Sequence, residues 1–176
     1  FYVAGVDIGR HNVKMVIMDM EATVQSQNCF QTTKEDVQNP EAFLEKIRDG
    51  IEFLIIESKI KQSKLMGIGI GMPGILDKEK KVVMFSPDFN WVDVPIHQIF
   101  QERFSCKVIV ENSNRALALG EYSYGAAKSA EYMLCINLGY GIGAAIIENG
   151  ELLKGSSGTS GELGHMIMDP YGPVCD

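Results

Sequence analysis

Apolar and polar positions repeat along the chain with two different periods. Residues 2–8, 13–18 and 24–32 are short apolar-rich runs separated by two tight polar turns, at residues 9–12 and 20–22. Runs this short, joined this closely, predict three strands in an antiparallel meander. The period then lengthens. Phe43, Leu44, Ile47, Ile51, Leu54 and Ile55 recur at spacings of three and four behind Asn39 and Pro40. That spacing predicts an amphipathic helix, capped by Asn39 and with Pro40 in its first turn.

Residues 65–71 read as a fourth strand with Gly67, Gly69 and Gly71 alternating along it, ending in a turn at Met72, Pro73 and Gly74. A long loop is expected through Ser86, Pro87, Asp88, Phe89, Asn90 and Trp91. Pro95 opens a second helix with Ile96, Ile99, Phe100 and Phe104 on one face. Residues 107–110 form a strand that stops at Glu111, Asn112 and Ser113, and a helix follows from about residue 114 to 124, stopped by Gly125. Ser113 fits the N-cap of that helix. Strands at 132–137 and 144–148 come next, and Asn149-Gly150 predicts a two-residue hairpin turn, because both its positions need positive φ. The order β-β-β-α-β-α-β-α-β-β predicts an α/β fold, a mixed sheet with helices on both faces.

Composition adds little: 176 residues, 45% hydrophobic and 22% charged, suit a globular protein with a sizeable core. The net charge of −7 argues against this chain itself gripping a nucleic-acid backbone, which wants a basic face. There is no signal-peptide pattern and no apolar run of about 18 residues, so no membrane contact is expected. Cys29, Cys106, Cys135 and Cys175 are scattered, which predicts the reducing cytoplasm, with Cys106 and Cys135 as buried thiols. Phe1 starts directly on a strand pattern and Asp176 follows Cys175 with no closing element, so a longer protein is expected to contain this chain.

Candidate chemistry concentrates in residues 137–165, N-L-G-Y-G-I-G-A-A-I-I-E-N-G-E-L-L-K-G-S-S-G-T-S-G-E-L-G-H. Gly139, Gly141 and Gly143 alternate at a strand turn. A second glycine-rich loop, residues 155–164, delivers Glu162 and His165 three residues apart. Glycine lets a backbone approach an anionic or hydroxylated ligand closely, although a G-x-G-x-G run alone fits a plain β-turn equally well. The carboxylate offers hydrogen-bond acceptors, and the imidazole a donor or a metal ligand.

The whole stretch resembles the signature of the ROK family, which contains sugar repressors, sugar kinases and unassigned reading frames, and the resemblance runs from Val3 to Cys175. It implies an actin-like ATPase (ribonuclease-H-like) fold, with a first lobe over residues 1–125 and the start of a second over 126–176. It also implies that Asp7, Gly9 and Lys14 in D-I-G-R-H-N-V-K, with Gly139, Gly141 and Gly143, are remnants of phosphate loops. Family kinases read roughly D-x-G-G-T-x-x-K there. Arg10 and His11 replace the second glycine and the threonine, and Tyr140 stands where a small residue is usual. Arg10 itself suits phosphate, and Lys14 equally suits a solvated strand. At E-N-S, Ser113 occupies the position of the family's general base, an aspartate. The sugar contacts implied by the resemblance are Gly74, Asn90, Asn112, Ser113, Glu162 and His165, with Trp91 near the pocket mouth. His165 and Cys175 correspond to half of a tetrahedral zinc site, so zinc is expected in the full-length protein.

The departures cluster at the base and the phosphate loops, the matches at the sugar. The resulting expectation is the sugar-sensing domain of a transcriptional regulator, not an enzyme and without ATP. Its partners would be a monosaccharide or sugar derivative, operator DNA through a helix-turn-helix ahead of Phe1, and a second copy in a homodimer. The alternative is an ATP-dependent sugar kinase.

Overall fold

The computed structural model describes all residues except 78, 80, 157 and 173–176. The chain forms two compact units, Phe1–Ala116 and Leu117–Asp176. The division falls ahead of the one expected after Gly125, within a helix.

In the first unit, β1 (Tyr2–Ile8), β2 (Asn12–Asp19) and β3 (Val24–Gln31) form the expected antiparallel meander. Along β1 and β2, buried Ala4, Val6, Ile8, Val13, Met15 and Ile17 alternate with more exposed residues, the period-two pattern of a sheet with one face in the core. Two parallel strands, β4 (Leu65–Met72) and β8 (Lys107–Asn112), extend the sheet in the order β3-β2-β1-β4-β8. The helix α2 (Pro40–Glu57) covers the core face. Its six predicted apolar residues are all buried in one cluster with β1, β2 and β4. Asn39 caps it as expected, Oδ1 accepting the Ala42 N–H at 3.1 Å. A short helix before it, α1 (Lys34–Gln38), is held by a reciprocal capping pair between Thr33 and Asp36. The helix α3 (Ile96–Gln101) starts after Pro95 and buries Ile96 and Phe100.

The expected long loop is instead a second small sheet, β5 (Ile75–Asp77), β6 (Val82–Ser86) and β7 (Trp91–Val94), paired antiparallel in that order. Its strands are three to five residues long, too short for hydrophobic periodicity to declare them. Trp91 is also not at a pocket mouth. It is 3% exposed, its ring lies tilted at 4.8 Å from Phe89 and edge-on at 5.9 Å from Phe43 between centroids, and its Nε1 donates to the Val37 carbonyl at 2.9 Å. The indole thus pins α1 and the small sheet to α2.

Arg103, just past α3, clips α2 from outside. Its Nε and Nη2 donate to the two Glu52 oxygens at 2.8 and 2.6 Å, Nη2 reaches Asp49 at 2.9 Å, and Nη1 reaches Glu45. The Arg103 hydrogen bonds hold the Glu52 carboxyl below its ordinary pKa. A depressed carboxyl stabilises the fold above its unfolded pKa and loses that contribution as pH falls through the folded value. The urea midpoint is therefore expected to drop below about pH 4.5, and Arg103→Ala is expected to flatten that drop. Parallel urea titrations from pH 7 to 3 check this; equal acid sensitivity in both proteins would count against the clip.

In the second unit, β9 (Tyr132–Leu138), β10 (Ile142–Glu148) and β11 (Glu151–Leu152) form an antiparallel sheet in the order β11-β10-β9. Asn149 and Gly150 have φ of 51° and 83°, the predicted hairpin turn. Ala118 and Tyr122 of α4 (Ser113–Tyr124) pack on Ala145, Ile147 and Cys135. Cys106 and Cys135 are half-buried rather than fully buried as expected, and that partial burial pushes both thiols above their ordinary pKa. No helix among the described residues is long and apolar enough to cross a membrane.

Candidate functional site

Strand register lines up the chemistry of the first unit. Lys14 pairs with Asp7 across β1 and β2, Asp7 with Gly71 of β4, and Gly71 with Glu111 of β8. This row lies at the carboxyl ends of three neighbouring parallel strands, where open α/β sheets bind ligands. The loops leaving β1 and β4 carry Gly9 and Gly74, and β8 ends on Asn112. A Cβ on Gly71 would stand 3.5 Å from Ser113 Cα and from Ala116 Cβ, so the first turn of α4 lies directly against the row.

Asn112 organises this edge. Its Oδ1 accepts the Asn114 N–H at 2.9 Å and its Nδ2 donates to the Gly74 carbonyl at 3.1 Å. Asn112, not Ser113, therefore caps α4; Ser113 is already the helix's first residue. One amide hydrogen and one oxygen lone pair of Asn112 remain beyond these two bonds. Gly74 has φ +125°, and a Cβ there would lie 2.5 Å from the Phe85 carbonyl oxygen. Only glycine lets this loop pass the small sheet.

Asn90 is exposed in the turn between β6 and β7, at φ 53°. The same turn carries Asp88, whose Oδ1 stands 3.6 Å from Arg10 Nη1. Arg10 thus leans toward Asp88 and ties the β1–β2 turn to the β6–β7 turn, a contact between distant segments that the sequence did not signal. Asp7 is exposed at its surface, yet desolvation raises its pKa, with Lys14 opposing. Sequence reading also missed Arg115, which is 7% exposed and stands 3.7 Å from Glu111. Their spacing of four on either side of the helix start was the available signal.

The second unit holds the remaining candidates. At the β9–β10 turn, the Gly139 N–H donates to the Gly141 carbonyl at 3.0 Å. A Cβ at Gly139 or Gly141 would meet nothing within 4 Å, and neither has positive φ. Neither the backbone nor a neighbour demands glycine at these two positions. Gly143 lies on β10, half-buried, and Tyr140 is exposed. Gly161, at φ +89°, would place a Cβ 2.8 Å from the Ala144 carbonyl oxygen, and Gly164 lies against the Ile142 carbonyl. These two close approaches press the turn Leu163–His165 onto the start of β10, next to the glycine hairpin. Glu162 and His165 stand there with Oε2 and Nε2 3.8 Å apart and both side chains open to solvent.

Cys175 lies outside the described residues. Among the described residues no three His, Cys, Asp or Glu side chains gather as a metal site. His165 with Glu162 alone is not the tetrahedral set a structural zinc needs.

A five-stranded sheet in this order, with glycine-bent loops at its carboxyl edge and a second sheet opening after the connecting helix, is a lobe of the actin-like ATPase fold. Residues 3–176 match the model of the ROK family, and the chain belongs to that family. It is 35% identical over 174 residues to the xylose repressor of Bacillus subtilis, covering 99% of this chain and 44% of the repressor. It is 32% identical over 171 residues to a glucokinase of Streptomyces coelicolor, covering 97% of this chain and 51% of the kinase. Among solved structures, a ROK hexokinase from Thermus thermophilus superposes with a TM-score of 0.82 at 31% identity, over 99% of this chain and 55% of the hexokinase. The chain thus spans about half the length of these relatives.

These matches correct the expectation of a protein without enzymatic activity. Sugar kinases match the chain almost as well, and as completely, as a repressor does. The physical reason is that Ser113 is one position. The same strand edge carries two further carboxylates, Asp7 and Glu111, so a hydroxyl at 113 does not strip the edge of proton acceptors.

Proposed function

We propose that this chain is the sugar-sensing part of a ROK-family transcriptional regulator, and that a neutral monosaccharide is its ligand. The observation that carries the sugar reading is the Asn112 amide. It caps α4, holds the Gly74 loop and still presents a donor and an acceptor at the carboxyl edge. Asn90 and Ser113 of the same unit are further candidates, and the second unit by itself offers Glu162 and His165 on a glycine-shaped loop. Polyol recognition uses a few such placed groups on fixed backbone. The regulator branch is supported by the likeness to the xylose repressor along almost the whole chain. In this reading operator DNA is held by a domain outside this chain, since a net charge of −7 does not suit that task.

The test uses the full-length protein, titrated calorimetrically with a sugar panel that begins with xylose and glucose, and assayed for operator DNA retention with and without each sugar. A sugar that binds and changes DNA retention is the expected result. A sugar kinase is the second reading, favoured by the glucokinase match. Sugar-dependent ADP release without any DNA response would establish that reading in place of the first.

Glu162→Ala is expected to weaken sugar binding by roughly 1–3 kcal/mol, because a sugar hydroxyl loses its acceptor. Stability should stay within about 0.5 kcal/mol, since the side chain is solvent-exposed and half outside any packing. Calorimetry and a urea curve on the same sample separate the two effects. An unchanged affinity would remove Glu162 from the site.

A further inference from the structure

A cavity of about 260 Å³ lies on the side of the first unit bounded by the small sheet, α3 and β8. Its apolar wall comes from three separate elements: Leu76 of β5, buried Ile96 of α3 and buried Val108 of β8. Its polar members are Lys81, Lys107, His97 and Asp77. The Asp77 carboxylate already accepts the Glu79 N–H at 3.0 Å. Two lysines and a histidine thus line the cavity beside one engaged aspartate, in a chain whose net charge is −7. The local sign runs against that of the whole chain, and it sits over an apolar floor.

The walls are fixed rather than incidental. β5 begins directly after Gly74 and β8 ends on Asn112, and those two residues are joined by the 3.1 Å hydrogen bond from Asn112 to the Gly74 carbonyl. The cavity volume is about 260 Å³. That is just below the usual ligand-pocket range of about 300–1,000 Å³, so the occupant is small.

We propose that this cavity is a second ligand site, separate from the carboxyl edge of the sheet, and that it takes a small organic anion with a short apolar body. The apolar portion lies on Leu76, Ile96 and Val108, and the anionic head is met by Lys81 and Lys107. Hexanoate and hexyl phosphate are suitable probes, with hexan-1-ol and hexylamine as the neutral and cationic comparisons of the same length.

The experiment is calorimetric titration of the full-length protein with each probe. Both anions are expected to bind in the low millimolar range, at least about ten-fold tighter than the alcohol, an increment of about 1.4 kcal/mol. Hexylamine is expected to bind more weakly than the alcohol. The double variant Lys81→Glu with Lys107→Glu, both exposed and so free of folding cost, should remove the preference for anions. Leu76→Trp, which fills the wall, should abolish binding of anion and alcohol alike. Equal affinity for anion and alcohol, no binding of any probe at millimolar concentrations, or anion binding unchanged in the double lysine variant would each overturn the proposal. Glu162→Ala should leave anion binding intact, so failure of the sugar reading and failure of this one are told apart.

Discussion

Replacing Trp91 with alanine is expected to cost about 3–5 kcal/mol of folding stability, the range for deleting a large buried aromatic. A domain's whole stability is typically about 5–15 kcal/mol, so this one change should bring the first unit close to unfolding. Three losses combine. The indole leaves a cavity between Phe43 and Phe89, two ring contacts vanish, and the Val37 carbonyl loses its donor. Trp91→Phe should cost clearly less, because most of the ring volume stays and only the Nε1 bond and part of the packing go. Urea unfolding followed by circular dichroism suits both variants, since Trp91 is the sole tryptophan. A cost below about 1 kcal/mol for the alanine variant, the level of an ordinary substitution, would mean the aromatic cluster does not anchor α1 and the small sheet.

Gly74→Val is expected to be the second severe change, at roughly 2–4 kcal/mol. Its φ of +125° is a region valine does not enter without strain. A Cβ would also stand 2.5 Å from the Phe85 carbonyl oxygen and 2.9 Å from Ser86 Cα, backbone atoms that cannot step aside cheaply. The displaced loop would pull the Gly74 carbonyl away from Asn112, so sugar affinity should fall with stability. Gly139→Ala and Gly141→Ala are the matched comparison. With open space around both positions, each should change stability by no more than about 0.5 kcal/mol. Urea midpoints for all three variants check the contrast. Similar losses at all three would mean that glycine serves the fold at the β9–β10 turn as well.

The two positions also show what a single sequence reveals. The α2 stripe was legible in full, because six apolar residues at helical spacing admit one solution and Asn39-Pro40 fixes its start. Asn149-Gly150 was legible because its turn type needs two positive φ angles. The small sheet was not, since strands of three to five residues declare no period. Trp91 was misplaced for a related reason. Its neighbour Asn90, a sugar contact implied by the resemblance, put it near a pocket, while its burial depends on Phe43, far away in the chain. The cap of α4 was off by one residue because Asn112 both ends β8 and caps the helix that begins at Ser113. At the carboxyl edge, residue types were readable but contacts were not. No local pattern links Arg10 to Asp88, and Arg115 shows itself only through its spacing from Glu111.

The double engagement of Asn112 has a practical consequence for anyone redesigning sugar preference. Most replacements at 112 would lose a helix cap worth about 0.5–2 kcal/mol and release the Gly74 loop, so affinity and stability would change together. Asn90 is the better diversification point, being exposed in its turn, but its φ of 53° narrows the useful alphabet to asparagine, aspartate and glycine. A small library with those three residues at 90, and a separate one randomising exposed Glu162, would each test the proposed sugar contacts while leaving the scaffold intact.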